Sequence, residues 1–549
     1  MHKSLLLLPA ILLSAYISFG QPITFDWSQH MGGRPNNATN VTISKDASGN
    51  LYVMGEFTGT RSFDLYTLTA TGNSEIFVAK YSSSGACQWA VKGGAGFSTA
   101  TAGRVSVSGN AVFITGSFTS FFNLGTGALV STGGSDIFIG SLSAADGSVN
   151  WLDKAGGIYD DNGLGISATA SGAVYLCGTF TGTATFGSHS ISTSSPIDND
   201  AYYAFYNVAG TCAWARRIGN TDFDRANFIQ CTPFGTAIIT GSFEGAVTFG
   251  SATLISAGYS DYFLISVDQG AGNVLWAAQG SSENNDVGYS VSLDPAGNVY
   301  STGYVADTAT FGGITINNDG NVNIFIAKHT VWGVCEWVRM AGSLTSDVGY
   351  VIVTDAGGSS YLAGYITGNA NFSGTMINAA GGSDGFIAKY SNAGTLRWVN
   401  KLGVGNTEQA KSVALDAAGF CYVAGEFDGT LSMGTLPPLV ADVNSFCVFL
   451  VHLGGGTVGV EESLNESTTI YPNPANDQIS LQITGVTDDA FTLELVDASG
   501  RVVYARMLNQ EDIIKKIDID THEMPSGIYF LNISSSSGDV SRRVSIIHN

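Results

Sequence analysis

GEFTGTRSFDLYTLTATGNSEIFVAKYSSSGACQWAVKGG, residues 55–94, decides the reading of this chain, because its landmarks return until the composition changes near residue 455. A glycine closing an apolar strand stands at Gly55, Gly116, Gly178, Gly241, Gly303, Gly364 and Gly425, at intervals of 61 to 63 residues. A tryptophan follows each of the first six, at Trp89, Trp151, Trp214, Trp276, Trp337 and Trp398, and the seventh unit has none. The missing one is Trp27, one repeat length before Trp89. Seven glycines and seven tryptophans read as a ring of repeats that the N-terminal segment closes.

Each repeat resolves into four strand-like segments. In the fifth these are YSVSL (289–293), NVYSTGY (298–304), IFIAKH (324–329) and CEWVRMAG (335–342), marked by alternation and by β-branched or aromatic residues. Between the first two lies a tight turn with a short oxygen-bearing side chain three residues before its glycine: Asp46, Asp294, Asp355 and Asp416, with Ser106, Thr169 and Thr232 elsewhere. Such a side chain bonds the backbone two residues on while the glycine turns left-handed, so these aspartates read as structural. Four-stranded units around a ring make a β-propeller, and the absence of a 3.6-residue period excludes helical solenoids. The period exceeds the roughly 40 to 45 residues of a familiar four-stranded blade. The surplus lies between the second and third strands, in ATFGSHSIS (184–192), VTFGSATLIS (247–256), ATFGGITIN (309–317) and ANFSGTMIN (370–378), each an expected extra hairpin. Strands alternate in direction, so these hairpins and the connections between blades emerge on one face, where function is expected.

Charged residues are 12% of the chain and the formal charge is −22. Phosphate contacts need Lys and Arg, which are outnumbered here, so nucleic acid is excluded as a partner, while cations or neutral glycans suit the surface. Residues 1–20 carry Lys3, an apolar run from Leu5 to Ile17 and Ser18-Phe19-Gly20. They read as a secretory signal peptide cleaved before Gln21, after which no transmembrane segment is expected. Of seven cysteines, Cys87, Cys212 and Cys335 stand two residues before a tryptophan in different units and are too far apart to pair. Cys421 with Cys447, on neighbouring strands of one unit, is the pairing considered. Seven histidines lack metal spacing, no Gly-x-Ser-x-Gly motif occurs, and no glycine loop opens a helix to hold a nucleotide.

GNxYVxGxF followed by DxFIAKYxxxGxxxW, as in DIFIGSLSAADGSVNW (136–151) and SDGFIAKYSNAGTLRW (383–398), resembles the bacterial β-propeller repeats of SBBP type over about residues 35–452. That resemblance implies the fold and no shared catalytic residues. AKYxxxGxxxW is also similar to the tryptophan-docking motif of quinoprotein dehydrogenases, whose blades are shorter and usually eight; no quinone pocket is read here. Past His452, LGGGTVGVEESLNES (453–467) is Gly-rich and then acidic, a flexible linker. TTIYPNPANDQISLQI (468–483), LELVDASGRVVYARML (493–508), MPSGIYFLNI (524–533) and RRVSIIHN (542–549) then read as a small β-sandwich. This segment resembles the C-terminal sorting domain of type nine secretion in Bacteroidetes through Tyr471-Pro472-Asn473-Pro474, Asp497 with Gly500-Arg501, Gly527-Ile528-Tyr529 and the tail from Arg542. The resemblance implies the type nine machinery as partner, passage across the outer membrane, removal of the domain near the linker, and attachment to surface lipopolysaccharide or release.

Two positions on the long-loop face repeat as acids. Eleven residues before the turn glycine stand Asp161, Asp224, Asp286, Asp347 and Glu408; just before the third strand stand Glu75, Asp136, Asp200, Asp261 and Asp384, with Asn323 and Asn444 in two units. One reading is an acidic rim holding Ca²⁺ through hard oxygen ligands, with Asp161, Asp224, Asp286 and Asp347 as candidate ligands. The other is that each carboxylate caps a turn or bonds a neighbouring blade. Asn317, Asp319, Asn321 and Asn323 alternate like calcium-loop ligands, but Gly320 is misplaced for the helix-loop-helix form. The borders of the third unit are richest in acids, with Asp160, Asp161, Asp198, Asp200, Asp222 and Asp224, and Arg216, Arg217 and Arg225 near enough to neutralise some. Asp161, Asp200 and Asp224 with the aromatics Tyr159, Phe223 and Tyr259 are the candidate ligand-binding set.

The resulting expectation is an all-β chain: signal peptide 1–20, seven-bladed propeller 21–453, linker 454–468 and C-terminal β-sandwich 469–549. It is a secreted or outer-surface binding or adhesion module for a glycan or protein. No catalytic residue and no cofactor beyond a candidate Ca²⁺ is assigned. An extracellular polysaccharide-degrading enzyme, or a structural surface-layer protein, is the alternative.

Overall fold

The computed structural model describes residues 24–35, 40–318, 321–403, 406–416 and 419–454, and in the last domain 468–483, 490–497, 501–509, 512, 516–535 and 538–548. Every named element among them is a strand, so the described chain is all-β, and among the described residues no helix is long and apolar enough to cross a membrane. The expected signal peptide, most of the linker, Asp319 and Gly500 lie outside the described residues.

Strands recur in sets of four with one antiparallel order. In the third repeat Asn162–Ala168, Val174–Thr181, Asn199–Tyr206 and Cys212–Ile218 lie side by side in sequence order. The middle two bury both faces, so VYLCGTF (174–180) and AYYAFY (201–206) are apolar runs with no alternation to read. A neighbouring sheet covers each side of them.

The repeated glycine has a steric cause. A Cβ at Gly178 would stand 1.9 Å from the Asn162 carbonyl oxygen and 2.9 Å from the Tyr202 ring, because the first strand carries an extra residue there and the third-strand aromatic lies across the gap. Only glycine fits such an approach. That aromatic also anchors the extra hairpin: Phe186 packs on Tyr202 with centroids 4.8 Å apart, as Phe63 does on Phe77 at 4.9 Å and Phe372 on Phe386 at 5.0 Å. Several hairpins also extend the sheet before them. Thr183–Phe186 pairs with Val149–Gly156, Ala309–Phe311 with Val274–Ser281, and Asn369–Phe372 with Cys335–Gly342.

Adjacent sheets share apolar clusters. Ile137 and Ile139 of the second repeat pack with Leu176 and Tyr202 of the third, and Val41, Leu51 and Val53 of the first pack with Tyr422, Ala424 and Leu450 of the last. Neighbouring first strands are joined by hydroxyls: Thr42 Oγ1 accepts from Val105 N–H at 3.1 Å, Ser106 Oγ from Ala168 N–H at 3.0 Å, and Ser412 Oγ from Ile43 N–H at 3.0 Å. These bonds satisfy edge N–H groups that would otherwise lack partners.

Trp89, Trp214, Trp337 and Trp398 are buried, while Trp27, Trp151 and Trp276 are half-buried. The indole reaches the next repeat: Trp89 Nε1 donates to the Ala144 carbonyl at 3.2 Å, Trp276 to Val331 at 2.9 Å and Trp337 to Asn392 at 3.0 Å. Thr24–Pro35 pairs antiparallel with Ser445–Gly454 as the fourth strand of the last sheet, with Trp27 opposite His452 and donating to the Ser83 carbonyl at 3.2 Å.

The cysteine pairing does not form. All seven thiols are free; Cys421 stands opposite Leu453 and Cys447 opposite Phe427, at opposite ends of two antiparallel strands. Six residues of strand separate them, roughly 20 Å, beyond the reach of a disulfide.

In the last domain a three-stranded sheet (Thr468–Tyr471, Gln478–Ile483, Ile517–Asp520) and a four-stranded sheet (Ala490–Asp497, Val502–Asn509, Gly527–Ser535, Gly538–Ile546) share one core, including Ile479, Leu481, Leu493, Leu531 and Ile533.

Candidate functional site

The two acid columns meet at the junctions between sheets, and both are fully buried. Three of the first-strand acids serve backbone N–H groups on two segments, whereas both carboxylate oxygens of Glu408 lack a hydrogen bond. Asp161 accepts from Gly157 N–H at 2.7 Å and Thr181 N–H at 3.2 Å, Asp224 from Asn220 N–H at 3.1 Å and Glu244 N–H at 3.2 Å, and Asp347 from Ser343 N–H and, at 2.9 Å, Thr367 N–H. Asp286 accepts from Ser282 Oγ at 2.8 Å and Ala306 N–H at 3.1 Å. The candidate ligands Asp161, Asp224, Asp286 and Asp347 thus sit in four successive junctions, facing inward. Among the described residues no group of three or more His, Cys, Asp or Glu is placed to hold a metal ion.

Four of the five third-strand acids have a cation across the strand pair, three residues after the tryptophan. Lys92 Nζ lies 2.6 Å from Glu75, Lys154 3.0 Å from Asp136 and Lys401 3.3 Å from Asp384, and Arg217 is bonded to Asp200. In the fifth repeat the acid's place is taken by Asn323 and the base's by Met340, opposite Phe325. In the last repeat the register puts Cys447, not Asn444, at the acid's place, opposite Phe427, and His30 at the base's, opposite Phe449. For Asp261 the base's place, opposite Phe263, holds Gln279.

The carboxylates of one junction are close. A Cβ at Gly156 would stand 2.7 Å from Asp136 Oδ1 and 2.8 Å from Asp161 Oδ2, so those oxygens are no more than about 5.5 Å apart. Burial pushes Asp161 up to about 7, with the Asp136 and Asp160 charges adding to it. Burial likewise raises Asp224 to about 8, beside Asp200, and Asp286 to about 7, beside Asp261. Asp200 and Asp261 rise to about 6, again chiefly through burial.

Outside the junction between the second and third repeats opens a cleft of about 900 Å³. Its walls are the strand Val149–Gly156 and the hairpin of the next repeat that pairs with it. Tyr159 lies in the connection between them, half exposed, its ring so close to Gly182 that a Cβ there would stand 2.8 Å away. Asp153, Lys154, Thr183, Thr185 and Ser194 supply the polar lining. Asp153 is half-buried and its pKa is raised, mainly by burial. Lys154 Nζ bridges Thr132 Oγ1 and Asp136. The hairpin displays hydroxyl pairs, Thr183 with Ser192 at 2.9 Å and Thr185 with Ser190 at 3.1 Å.

Of the sequence candidates, only Tyr159 lines this cleft. Phe223 and Tyr259 are exposed in later junctions, and Asp161, Asp200 and Asp224 lie beneath the surface. Sequence reasoning missed Asp153 and Lys154, which the fixed offset from Trp151 could have revealed. It also missed the rings of Tyr289, Tyr304, Tyr350 and Tyr365, brought within 5.4 to 5.9 Å of one another on first and second strands, with Lys411 Nζ 3.9 Å over Tyr350. Tyr289, Tyr350 and Lys411 are the extra residues of their bulges, which re-aim side chains.

Comparison with known proteins bears mainly on the last domain. Residues 469–547 match the family described as the secretion system C-terminal sorting domain. The chain therefore carries a signal for export by type nine secretion to the cell surface or extracellular space. An uncharacterized WD repeat-containing protein of Acanthamoeba polyphaga mimivirus is 24% identical over 250 residues, 37% of this chain and 18% of that relative's own length. Among solved structures, a chain of the mitotic checkpoint complex aligns at a TM-score of 0.39 and 10% identity, over 82% of this chain and 98% of its own. A quinohemoprotein alcohol dehydrogenase from Comamonas testosteroni aligns at 0.37 and 11%, over 83% of this chain and 79% of its own. None of these three is similar enough to carry a functional assignment.

Proposed function

We propose that residues 21–453 form a seven-bladed β-propeller closed by the N-terminal strand, and that the exported protein binds a glycan in the cleft beside Tyr159. Closure is supported by the pairing of Thr24–Pro35 with Ser445–Gly454 and by the apolar cluster shared between the first and last sheets. The resemblance of the repeats to bacterial SBBP-type propellers supports the same architecture. The observation that carries the binding reading is the cleft's lining: an aromatic ring beside Thr and Ser hydroxyls, one ammonium and one carboxylate. A ring face stacks on the C–H face of a sugar while hydroxyls and charged groups bond its oxygens. Hydrolysis of a glycosidic bond needs two carboxyl groups flanking it. Asp153 is the one carboxylate in the lining, so the chemistry favours binding without cleavage.

The test is native affinity electrophoresis of the full chain through gels containing a panel of polysaccharides, stained afterwards for polymer breakdown. Retardation without clearing in at least one gel is expected, and Tyr159→Ala should restore free migration there. A cleared track would establish an enzyme instead. Free migration in every gel would overturn the glycan reading and leave a protein ligand or a structural role.

A further inference from the structure

Independently of the glycan reading, we infer a calcium site at the junction between the fourth and fifth repeats, formed by Asp261 and Asp286. The repeats provide their own control. Wherever the third-strand position is an acid in the other sheets, a lysine or arginine stands across the strand pair from it: Lys92 for Glu75, Lys154 for Asp136, Arg217 for Asp200 and Lys401 for Asp384. Where the base is replaced, by Met340 or His30, the acid has become the uncharged Asn323 or Cys447. Charge is balanced in both cases. The fourth repeat alone keeps the acid and loses the base. Gln279 lies opposite Phe263, the register place that Lys154 holds opposite Phe138.

The carboxylates left there are fully buried. Asp286 N–H donates to the Ser260 carbonyl at 2.7 Å, which fixes the two acids in one junction. Asp261 Oδ2 accepts from Ala257 N–H at 2.9 Å and Asp286 Oδ1 from Ser282 and Ala306, but Asp261 Oδ1 and Asp286 Oδ2 have no partner. Buried carboxylate oxygens without a hydrogen bond or counter-charge are costly. A divalent ion neutralises both acids at once, and an all-oxygen set of two carboxylates suits Ca²⁺, which tolerates irregular geometry. Gln279 donates its amide N–H to the Ile255 carbonyl at 3.3 Å, leaving an amide oxygen where the other sheets carry an ammonium or guanidinium. The Ser282 hydroxyl is a further oxygen beside Asp286.

The test uses the full chain, freed of divalent ions with a chelator and titrated with calcium chloride alone, read by calorimetric binding and by thermal melting. One ion per chain is expected, with a rise in melting temperature on the order of a few degrees at saturating calcium. Gln279→Lys, which restores the internal cation, should abolish binding while leaving the chelated protein at least as stable as the parent. Asp286→Asn should abolish binding too; if it does not fold, Gln279→Lys carries the test alone. Conversely, Lys401→Gln should create a second site. Calcium binding that survives Gln279→Lys would place the ion elsewhere and overturn the inference. So would a melting temperature that responds to lowered pH but not to calcium, since a shared proton then balances the pair.

Discussion

Glu408 lies buried where the sixth and seventh sheets meet, facing Asp384 and Asp428, with Lys401 as the nearby cation. Burial first, and then those two carboxylates, push its pKa from 4.5 up to about 8. The folded chain therefore holds a proton here that the unfolded chain releases above about pH 4.5. Stability from this group is complete below that pH and drains away as pH rises to about 8, by at most about 1.4 kcal/mol per pH unit. Glu408→Gln keeps the neutral shape at every pH. Urea unfolding should show it equal to the parent near pH 4.5 and more stable by on the order of 1 to 3 kcal/mol near pH 8.5. Equal stability at both would mean that Glu408 is ionised in the folded protein. His329 acts in the opposite sense: burial lowers its pKa from 6.5 to about 4, so its contribution is present above 6.5 and lost as pH falls toward 4.

At the scale of elements, the turn between third and fourth strands is built to receive the preceding repeat's tryptophan. Gly85 has φ +84°, and a Cβ there would stand 2.7 Å from the Trp27 indole, as one at Gly210 would stand 2.5 Å from Trp151. Gly85→Ala combines left-handed strain with displacement of the ring and should cost about 1 to 3 kcal/mol. Trp27→Ala should cost about 2 to 4 kcal/mol, less than full burial would give, because this indole is half exposed. Made together, the two changes should cost less than their sum, since Gly85→Ala no longer has a ring to displace. Strict additivity in thermal melting would refute the docking contact. These elements were legible in the sequence because they are local. The glycine and tryptophan spacings, the Asp-to-Gly turns and the extra hairpins each lie within one repeat. Asp294, for example, accepts from Ala296 and Asn298 N–H, both at 2.9 Å, the backbone bond expected of that turn. What stayed hidden depends on the neighbouring repeat. The cleft exists because Thr183–Phe186 crosses to the outer strand of the sheet before it, and no window of one repeat shows that pairing. For the acids two readings stayed open, an ion-holding rim or caps on backbone, because sequence gives a residue's face but not the backbone groups that wait for it; Asp161, Asp224 and Asp347 bond backbone N–H groups. The pairing considered for Cys421 and Cys447 fails because neighbouring strands do not make their residues neighbours; antiparallel register puts the two at opposite ends.

For the whole molecule the decisive element is the N-terminal strand, which lies more than 400 residues from its partner Ser445–Gly454. Without Thr24–Pro35 that partner becomes an open edge, and Met31 leaves the cluster joining the first and last sheets. An open edge also invites pairing with other chains. A chain lacking residues 21–35 should therefore melt lower by on the order of 5 °C or more and associate with itself, and a synthetic peptide of residues 24–35 should reverse both. The sorting domain provides the internal reference. Its core, from Ala475 to Ile546, contains no residue of the repeat sheets, so its own melting step should stay in place while the larger one moves. If the trimmed and full chains melt together, the strand is an appendage and the repeats hold without it. If both steps move, the two parts fold as one unit and the boundary near residue 455 is wrong. A shift confined to the larger step is the outcome that a ring closed by its first strand requires, because only there does one short strand complete a sheet and join the first repeat to the last.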